Sequence, residues 1–588
     1  MPGLRYGKII LGVAVLYSSP DSGDHDFTAP LPLPRHAASR APRKHYAFAG
    51  VLFLPPMAKI GRPRLEKFVA MRLIVVSNRV TIPDRQEKAT AGGLAVALRE
   101  ALEQHGGLWF GWSGHVGDAS GHEVRQVQRG NVTYAVTDLS ESERQSYYLG
   151  FSNRALWPLM HYRLGLTDFQ RGDYMGYLGV NRRFARALAN LIQPDDLIWI
   201  HDYHLIPLAA ELRRRGITNR IGYFHHIPWP SADVIGALPF SGTLIRTVSA
   251  YDLVGLQTEV DARNLIGGLE ILCGGRSDGR RVRVGARETA VQAFPIGIDV
   301  EAFRRLAAAS TRQASTPLRA TRESLGERKL VVGVDRLDYS KGIVQRLEAF
   351  GEFLRSHPEH RGRVGLLQIA PPSRSDVPEY AELDRLSDEV AGRLNAQLGE
   401  FDWTPIRVVK KAYSRTALAG FYRRAQVGLV TPMRDGMNLV AKEYVAAQDP
   451  ADPGVLVLSR FAGAAQQMRE ALIVNPYDTH EVAEAIRTAL AMPKTERIRR
   501  FEALYETIAA TDIDWWTQRY LAALASGSAA SAEQVEPARP QAGLRRGGRA
   551  GAGVAKRQPE EAKSGKLSKE SPRKARGASS RHLALVQP

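Results

Sequence analysis

Polar and charged side chains that could bind a small polar ligand come directly after several short apolar segments of the sequence. Six clusters of this kind follow six predicted strands. They are Ser77–Arg79, His201–His204, His225–Pro228, Asp335–Gly342, Ala370–Arg374 and Met433–Asn438. Ligands of open parallel sheets bind beyond the carboxyl ends of the strands, so six such clusters facing one cleft predict a single site.

Four residues suit the binding of a diphosphate. Arg336 and Lys341 lie five residues apart in a strand-to-helix loop, where two cations can neutralise the charge of a leaving diphosphate. Gly92 and Gly93 precede a helix predicted to begin near Leu94, and glycines there let backbone amides approach a phosphate. Read alone, the two cations fit an exposed ion-paired loop equally well, and the glycines fit a tight turn better.

Two carboxylates near the end of the sixth strand suit sugar hydroxyls. Glu443 stands five residues after Asn438 on the predicted helix, where an acidic residue commonly accepts hydrogen bonds from a ribose. Asp435, in the glycine-containing loop before that helix, could bind the hydroxyls of another sugar. Read alone, Glu443 fits a solvated helix charge better.

Two arginines from different sheets form a second candidate for anion binding. Arg79 and Arg374 both follow strands, and two guanidiniums reaching one phosphate from opposite walls would clamp a phosphorylated acceptor. Asp202 could orient or deprotonate an acceptor hydroxyl, and a neutral His226 could lie beside a sugar hydroxyl. The spacing of the histidines in these clusters matches no familiar zinc pattern, so we expect no metal.

Short apolar runs, separated by amphipathic stretches of helix length, have to position these side chains. The runs are Leu73–Val76, Leu197–Ile200, Ile221–Phe224, Leu253–Leu256, Leu330–Val334, Gly365–Ile369, Val427–Val430 and Val455–Leu458. Continuous apolar strands that alternate with helices indicate parallel sheets covered on both faces. The sequence therefore predicts an α/β chain with two parallel sheets.

The positive charge of the chain is concentrated near its two ends. Residues 1–70 and 527–588 contribute +6 and +8 to the net charge of +19, so residues 71–526 are nearly balanced. Nucleic-acid enzymes more often carry their charge on a folded face, so we expect no specific nucleic-acid partner. The low-complexity composition of 527–588 predicts a disordered basic tail. The single cysteine, Cys273, fits a reducing, cytoplasmic location, and no apolar run reaches the roughly 18–20 residues that a membrane span needs.

Eight segments together resemble the trehalose-6-phosphate synthases of glycosyltransferase family 20. The resemblance covers residues 71–526 in the family's order, and the last segment is long enough to be close to diagnostic. The segments are Ser77–Arg79, Gly92–Leu94, Gly107–Gly114, Tyr147–Pro158, His201–Leu205, His226–Pro230, Asp335–Gly342 and Arg434–Gln448.

The resemblance implies the GT-B fold, in which two Rossmann-like domains, each a doubly wound parallel sheet, face a central cleft. We therefore expect an N-terminal acceptor-binding domain over 71–308 and a C-terminal nucleotide-sugar-binding domain over 309–500. A helix over 501–526 should return to the first domain. We expect residues 1–70 to be a disordered extension or a misplaced start, because Met71 opens a clean strand.

The resemblance also implies a reaction. Glucose would pass from UDP-glucose to glucose 6-phosphate, giving α,α-trehalose 6-phosphate and UDP with anomeric retention. The family is thought to react by departure and attack on the same face of the sugar, and we find no convincing second carboxylate for a covalent intermediate. The resemblance implies no cofactor and no metal. Homo-oligomers are common among family members, so we expect this chain to form a homo-oligomer.

By matching motif, the resemblance assigns roles to individual residues. The catalytic residues would be Asp202, Arg336 and Lys341. The donor would be bound by Gly92, Gly93, His226, Arg336, Lys341, Tyr413, Asp435, Met437, Asn438, Leu439, Val440, Ala441, Lys442 and Glu443, with the backbone from Leu439 to Glu443 contacting the nucleotide. The acceptor would be bound by Arg79, Tyr148, Trp157, Asp202 and Arg374.

Three alternatives stay open at this point. Tyr413 stands where the family commonly has Phe, and its hydroxyl leaves room for another donor such as GDP-glucose or ADP-glucose. A catalytically inactive regulatory subunit of a trehalose complex is the second alternative, although such relatives usually lose motif residues that are present here. Binding of nucleic acid or an acidic membrane through the basic ends is the third, and we expect neither partner.

Overall fold

The computed structural model describes residues 71–83, 98–99, 101–103, 106–118, 123–312, 315–374 and 376–527. These residues form two β-sheets and the helices that pack on them. The segments expected to be disordered, 1–70 and 528–588, lie outside the described residues, and so do Gly92 and Gly93.

The first sheet has ten strands within the described ranges, and its centre is parallel. Strands β1 to β10 are Leu73–Arg79, Gly107–Val116, Arg125–Arg129, Val132–Leu139, Leu197–His201, Ile221–Phe224, Leu253–Leu256, Arg276–Ser277, Arg281–Val284 and Arg287–Ala293. Their order is β3-β4-β2-β1-β5-β6-β7-β10-β9-β8. Among the described strands, the antiparallel pairs lie at the two edges and are β3 with β4, β10 with β9, and β9 with β8. Apolar runs do not predict these edges, since β3, β8 and β9 are short and rich in arginine.

The second sheet has six strands, all parallel, in the described part of the chain. Strands β11 to β16 are Lys329–Val334, Val364–Ile369, Ile406–Val409, Val427–Val430, Val455–Ser459 and Leu472–Val474. Their order is β13-β12-β11-β14-β15-β16, which is the 3-2-1-4-5-6 order of a doubly wound Rossmann fold. The central strands of the first sheet repeat this order as β4-β2-β1-β5-β6-β7.

Helices connect the strands of both sheets. The longer α-helices are Arg171–Ala189, Glu259–Cys273, Val300–Arg312, Thr316–Leu325, Ile343–Ser356, Pro378–Leu398, Arg415–Arg424, Leu439–Ala447, Thr479–Ala491, Lys494–Ala510 and Ile513–Ser526. Shorter α-helices are Glu141–Glu143, Trp157–Met160, Leu208–Arg213, Ala232–Gly236 and Ser241–Arg246. Short 3₁₀ turns are Leu164–Leu166, Tyr203–Leu205, Thr247–Ala250, Tyr339–Lys341, Pro358–His360 and Gly463–Gln466.

A π-helix, Arg144–Leu156, occupies part of the segment that carries two predicted acceptor residues. At its end the amide of Trp157 donates to the carbonyl of Ser152, five residues earlier. The hydroxyl of Tyr147 donates to the side-chain oxygen of Asn78 at 2.8 Å and so ties this helix to the end of β1. π-helical turns are rare and frequently mark functional sites.

The first sheet is buried on both faces, as its continuous apolar strands predict. In β1, Leu73 and Val75 belong to one hydrophobic cluster, whereas Ile74 and Val76 belong to another. Because successive strand residues point to opposite faces, each face has its own core. This double burial explains why β1 reads as an unbroken apolar run rather than an alternating one.

The predicted domain boundary between residues 308 and 309 falls inside the helix Val300–Arg312. That helix packs against the helix Arg415–Arg424, which connects two strands of the second sheet. The rings of Phe303 and Tyr422 stack there with centroids 6.1 Å apart. The composition that suggests a junction, rich in Ala, Arg and Ser, belongs to an amphipathic helix.

The helix predicted over 501–526 is interrupted in the structure. The chain forms two helices there, Lys494–Ala510 and Ile513–Ser526. The second begins at Asp512, whose side chain accepts a hydrogen bond from the amide of Trp515 at 2.8 Å. An aspartate at this position caps a helix and favours a new start over continuation.

The helix Ile513–Ser526 lies on the first sheet, where its aromatic side chains are buried. Trp516 packs on Trp199 of β5 with ring centroids 5.0 Å apart. The hydroxyl of Tyr520 donates to the carbonyl of Tyr223 in β6 at 3.0 Å. The last described helix therefore lies against the first sheet.

Candidate active site

A cavity of about 590 Å³ opens between the carboxyl ends of the two sheets. Eleven residues to which the sequence assigns a role line it. They are Arg79, Asp202, His226, Arg336, Lys341, Asp435, Met437, Asn438, Leu439, Val440 and Glu443. Five of the six polar clusters therefore meet at one place.

The cavity lies where the strand order of each sheet reverses. In the first sheet β1 and β5 are neighbours, with Val76 opposite Ile200, so their polar ends leave the sheet side by side. In the second sheet β11 and β14 are neighbours in the same way, with Val332 opposite Gly428. Open α/β sheets bind their ligands at such switch points, which explains why clusters far apart in the sequence share one cavity.

The loops of the two sheets touch beside the cavity. Gly436, after β14, lies so close to the backbone of His226, after β6, that an added Cβ would be 2.0 Å from the His226 carbonyl oxygen. Only glycine allows this approach. The contact brings Asp435 of the second sheet and His226 of the first to the same cavity wall.

Two cations face the cavity in different states. Arg336 is exposed and makes no hydrogen bond or ion pair with any residue that the structure describes. The ammonium of Lys341, in contrast, donates to Oδ2 of Asp435 at 2.5 Å, and the side-chain amide nitrogen of Asn438 donates to the same oxygen at 3.0 Å. An anion could therefore reach Arg336 directly, whereas Lys341 has to leave Asp435 first.

The helix Leu439–Ala447 points its first turn at the cavity. Asn438 precedes it with a φ of 71°, and its side-chain oxygen accepts a hydrogen bond from the amide of Ala441 at 3.3 Å. The amides of Leu439 and Val440 have no partner within the helix by their position, and both residues line the cavity. Such a helix start favours a bound anion.

Glu443 lies one turn further along this helix and also lines the cavity. Burial raises its pKa to about 7, and the charge of Arg415 opposes part of that increase. The carboxyl is therefore poised between its two protonation states near neutral pH. A ligand that donates hydrogen bonds to it favours the ionised form.

Asp202 is the second carboxyl of the cavity with a raised pKa. Burial raises the pKa to about 6, against the backbone hydrogen bonds from Tyr203 and His226 and the charges of Arg374 and Arg336. Asp202 is ionised at pH 7 but lies within reach of protonation at mildly acidic pH.

Backbone strain concentrates at this site. Five non-glycine residues in the described ranges have positive φ, and Asp202, Arg374 and Asn438 are three of them, at 75°, 49° and 71°. Such conformations persist where the surrounding structure enforces them, commonly at functional sites.

The remaining predicted acceptor residues form a cluster beside the cavity. The guanidinium of Arg374 lies 3.8 Å from the ring centroid of Trp157 and donates to the hydroxyl of Tyr203 at 3.3 Å. The ring of Tyr148 stacks on His204, which lines the cavity, with centroids 5.9 Å apart. The cluster Ala370–Arg374 therefore reaches the same region without lining the cavity itself.

Sequence comparison places this arrangement in a known family. The sequence profile described as Glycosyltransferase family 20 matches residues 68–526. A trehalose-6-phosphate synthase from Sinorhizobium fredii is 50% identical over 469 residues, which cover 78% of this chain and 99% of the relative. The chain belongs to glycosyltransferase family 20.

Solved structures agree with the family-20 assignment. An α,α-trehalose-phosphate synthase (UDP-forming) from Burkholderia xenovorans, solved in complex with glucose 6-phosphate, matches with a TM-score of 0.73 at 43% identity and covers 77% of this chain and 100% of its own. A protein from E. coli solved with bound UDP-2-fluoro glucose matches with a TM-score of 0.73 at 44% identity, covering 77% and 98%. The predicted GT-B fold is confirmed, and the protein is a glycosyltransferase.

Three residues that the family resemblance assigns to the donor do not line the cavity. The ring of Tyr413 packs edge-on against Phe421 with centroids 5.4 Å apart. Ala441 is buried, and the ammonium of Lys442 donates to the carbonyl of Ile296 at 2.7 Å, on another side of the helix. The side chains of Ala441 and Lys442 therefore do not face the family-20 cavity. Their backbone, which the family resemblance assigns to the nucleotide, is the part that could still contact a donor.

Some residues that line the family-20 cavity have no role assigned from the sequence. Gln257 directly follows β7, and its side-chain oxygen accepts a hydrogen bond from the amide of Ile296 at 3.1 Å. The rule that found the other clusters also applies to the end of β7 and would have found Gln257. Nδ1 of His201 lies 3.0 Å from Nε2 of His226, a pairing that spacing in the sequence does not reveal.

The part of the chain that the structure describes contains neither a metal-binding cluster nor a helix that could span a membrane. No group of three or more His, Cys, Asp or Glu side chains there could hold a metal ion. None of the helices there combines the length and apolar character that crossing a membrane requires.

Proposed function

We propose that this family-20 enzyme transfers glucose from UDP-glucose to glucose 6-phosphate and releases UDP and α,α-trehalose 6-phosphate. The observation that carries the proposal is the joining, in one cavity, of a cation that has no ion-pair partner among the described residues, a helix start and the strand ends of both sheets. The relatives described above support the two substrates, since one was solved with glucose 6-phosphate and another with UDP-2-fluoro glucose.

The donor would occupy the wall formed by the second sheet. Arg336 and Lys341 would hold the diphosphate, with the amides of Leu439 and Val440 at the positive end of their helix. Glu443, one turn further along, would accept hydrogen bonds from the ribose.

Donor binding would exchange the partners of Lys341 and Asp435. In the structure these two side chains pair with each other. When the donor enters, the ammonium would turn to the diphosphate, and Asp435 would accept hydrogen bonds from the glucose hydroxyls, together with Met437 and Asn438. The ion pair thus keeps both groups neutralised and in place until the substrate replaces it.

The acceptor would occupy the side formed by the first sheet. Arg79 and Arg374 would clamp its phosphate with Tyr148, while Trp157 and Asp202 would place its sugar ring. Arg79 is exposed and lies over the ring of Trp112, 6.0 Å from the centroid. Bidentate guanidinium contacts give a phosphate both energy and direction.

We propose transfer with retention, by departure and attack on the same face of the sugar. The bond from the glucose anomeric carbon to the diphosphate oxygen breaks, the acceptor hydroxyl oxygen bonds to that carbon, and its proton passes to the departing phosphate oxygen. A covalent mechanism would need a free carboxylate as nucleophile. Of the carboxylates that line the cavity, Asp335 is paired with Arg346, and the proposal assigns Asp435 to the donor glucose, Glu443 to the ribose and Asp202 to the acceptor.

The first experiment is donor profiling with the purified protein. UDP-, GDP- and ADP-glucose are each incubated with glucose 6-phosphate, with and without a chelator, and released nucleotide is measured while NMR reports the product's anomeric configuration. We expect turnover with UDP-glucose, no loss on chelation and an α,α product. Absence of turnover with every donor would contradict the proposal and favour a regulatory subunit.

A further inference from the structure

Asp338 is a buried carboxylate to which the family resemblance assigns no role. It lies in the loop after β11 and is 0% exposed. Its Oδ1 accepts hydrogen bonds from the amide and the hydroxyl of Ser340, at 2.9 Å and 2.8 Å. Its Oδ2 accepts from Nη1 of Arg374 and from the hydroxyl of Tyr380, both at 3.0 Å. The two oxygens of one carboxylate therefore hold two different elements.

The first oxygen fixes the loop that carries the donor lysine. Ser340 directly precedes Lys341, and the carbonyl of Ser340 accepts a hydrogen bond from the amide of Met433 at 2.8 Å. The loop after β11 is thereby joined to the loop after β14. The side chain of Asp338 caps the start of the 3₁₀ turn Tyr339–Lys341, which carries the donor lysine.

The second oxygen of Asp338 occupies one side of the Arg374 guanidinium and leaves another edge of that group for a ligand. Nη1 is taken by Asp338 and Tyr380, and the face of the guanidinium lies on Trp157. Nε has no hydrogen-bond partner among the residues described, and Nη2 makes only the 3.3 Å contact with Tyr203. The edge formed by Nε and Nη2 is the one that can bind a phosphate in bidentate fashion.

The charge of Asp338 is retained despite its burial. Burial alone would raise its pKa, but the positive charges of Arg374, Arg336 and Lys341 hold the pKa of this carboxyl below its ordinary value. A buried ion pair is weak evidence for a role in stability, because apolar residues of similar volume often serve as well. The placement of the pair therefore needs another explanation.

We propose that Asp338 is a positioning residue that sets the acceptor-phosphate arginine, Arg374, at a fixed place relative to the donor loop of Lys341. The two substrates carry their phosphates to these two cations, so their separation determines whether the acceptor hydroxyl meets the donor carbon. This inference rests on the proposed function, since it takes Arg374 as the ligand of the acceptor phosphate.

The test compares four variants by their KM for each substrate. Asp338→Asn keeps an acceptor for Ser340 but turns an amide donor toward Arg374, and Tyr380→Phe removes one of the two groups that orient the same oxygen. Ser340→Ala perturbs only the donor side. Asp196→Asn is the matched control, because Asp196 is a buried carboxylate paired with Arg72, at 2.7 Å, beside the opposite ends of β1 and β5.

We expect Asp338→Asn to raise the KM for glucose 6-phosphate about 10-fold or more while the KM for UDP-glucose stays within about 3-fold. Tyr380→Phe should act in the same direction by about 3-fold, and Ser340→Ala should raise only the donor KM. Asp196→Asn should lower thermal stability and leave both constants unchanged.

An equal rise of both constants in Asp338→Asn, or no change in the acceptor constant, would overturn the proposal. If that variant does not fold, an unchanged acceptor KM in Tyr380→Phe overturns it instead. Wild-type protein that forms no trehalose 6-phosphate would refute the proposed function itself, so the two failures are distinguishable.

Discussion

Arg336 and Lys341 carry the same charge but should respond differently to removal. We expect Arg336→Ala and Lys341→Ala each to lower turnover at saturating donor by at least about 100-fold, since each removes a charge that the proposed function assigns to the leaving diphosphate. Lys341→Ala also leaves Asp435 without its ion-pair partner and should cost about 1–3 kcal/mol of stability. Arg336→Ala should stay within about 0.5 kcal/mol, because Arg336 is exposed.

Steady-state rates and thermal melts of the two variants check this difference. Arg385→Ala is a suitable control, because Arg385 forms exposed ion pairs within the helix Pro378–Leu398. Near-normal turnover at saturating donor in either cavity variant would contradict the assigned role. Equal stability losses in both would contradict the difference in their pairing.

Asp202 should show a conflict between activity and stability. Its pKa is raised to about 6 by burial, so above pH 6 the folded protein carries a charge that the unfolded chain accommodates more easily. As the pH falls through 6 the carboxyl takes up a proton in the folded state, and the cost disappears below the unfolded pKa of about 4. Asp202→Asn should therefore raise the free energy of unfolding by about 1–3 kcal/mol above pH 6, with the gain fading toward pH 4.

The same substitution should lower kcat/KM for glucose 6-phosphate about 100-fold or more, since it removes the ionised group that the proposed function assigns to the acceptor. Denaturant melts at pH 8 and pH 4, together with the pH profile of kcat/KM, measure both effects. The phosphate of the acceptor itself titrates near pH 6, so a wild-type acid limb alone decides nothing. A variant no more stable than wild type at pH 8 would contradict the buried charge.

Residue types at strand ends predicted most of the cavity wall, but not the state of each residue in it. The sequence places Arg336 and Lys341 in one loop and treats them alike. Their difference depends on Asp435, nearly a hundred positions later and in a different loop. Pairings of this kind arise from tertiary packing, and the carboxyl pKa values depend on burial, so neither can be read from spacing.

At the scale of elements, the contact between two loops offers the sharpest test. Gly436→Ala would place a Cβ 2.0 Å from the carbonyl oxygen of His226, so the loops after β6 and β14 have to separate. We expect the KM for UDP-glucose to rise about 10-fold or more, because a displacement of about 1 Å costs this much or more in a positioned site. Steady-state kinetics with each substrate varied in turn measure the effect.

The matched control for this substitution is Gly392→Ala. Gly392 lies in the helix Pro378–Leu398, and nothing stands within 4 Å of a Cβ added there. Alanine favours a helix over glycine by about 1 kcal/mol, so this variant should be slightly more stable with unchanged kinetics. Normal donor binding in Gly436→Ala would show that the two loops can separate without consequence.

Elements with a clear apolar run were predictable, and elements set by packing were not. The apolar runs that became β6, β7 and β14 match the observed strands to the residue. The π-helix Arg144–Leu156 has no sequence signature, and its backbone depends on contacts such as that between Tyr147 and Asn78. Residues with a positive φ, such as Asp202, could not be predicted either, because the sequence has no glycine at these positions.

At the scale of the whole molecule, the chain crosses between the two sheets twice, and the crossings run side by side. The amide of Ile513 donates to the carbonyl of Ile298 at 3.2 Å, and a Cβ on Gly297 would lie 2.3 Å from the carbonyl oxygen of Thr511. The predicted boundaries at residues 308 and 501 lie near these crossings, and composition marks neither crossing. The helix Ile513–Ser526 follows the second crossing directly and holds the end of the described chain to the first sheet.

The burial of Trp516 should therefore control how cooperatively the two sheets unfold. Its indole is fully buried against Trp199 and Phe224, with ring centroids 5.0 Å away in each case. We expect Trp516→Ala to cost about 3–5 kcal/mol and to split one calorimetric transition into two, because the helix then detaches from the first sheet before either sheet unfolds. Trp515→Ala is the control: Trp515 is only partly buried on the same helix, so its loss should shift the melting temperature little. A single transition in Trp516→Ala, close to that of wild type, would mean that the contacts between the sheets hold the molecule together without this helix.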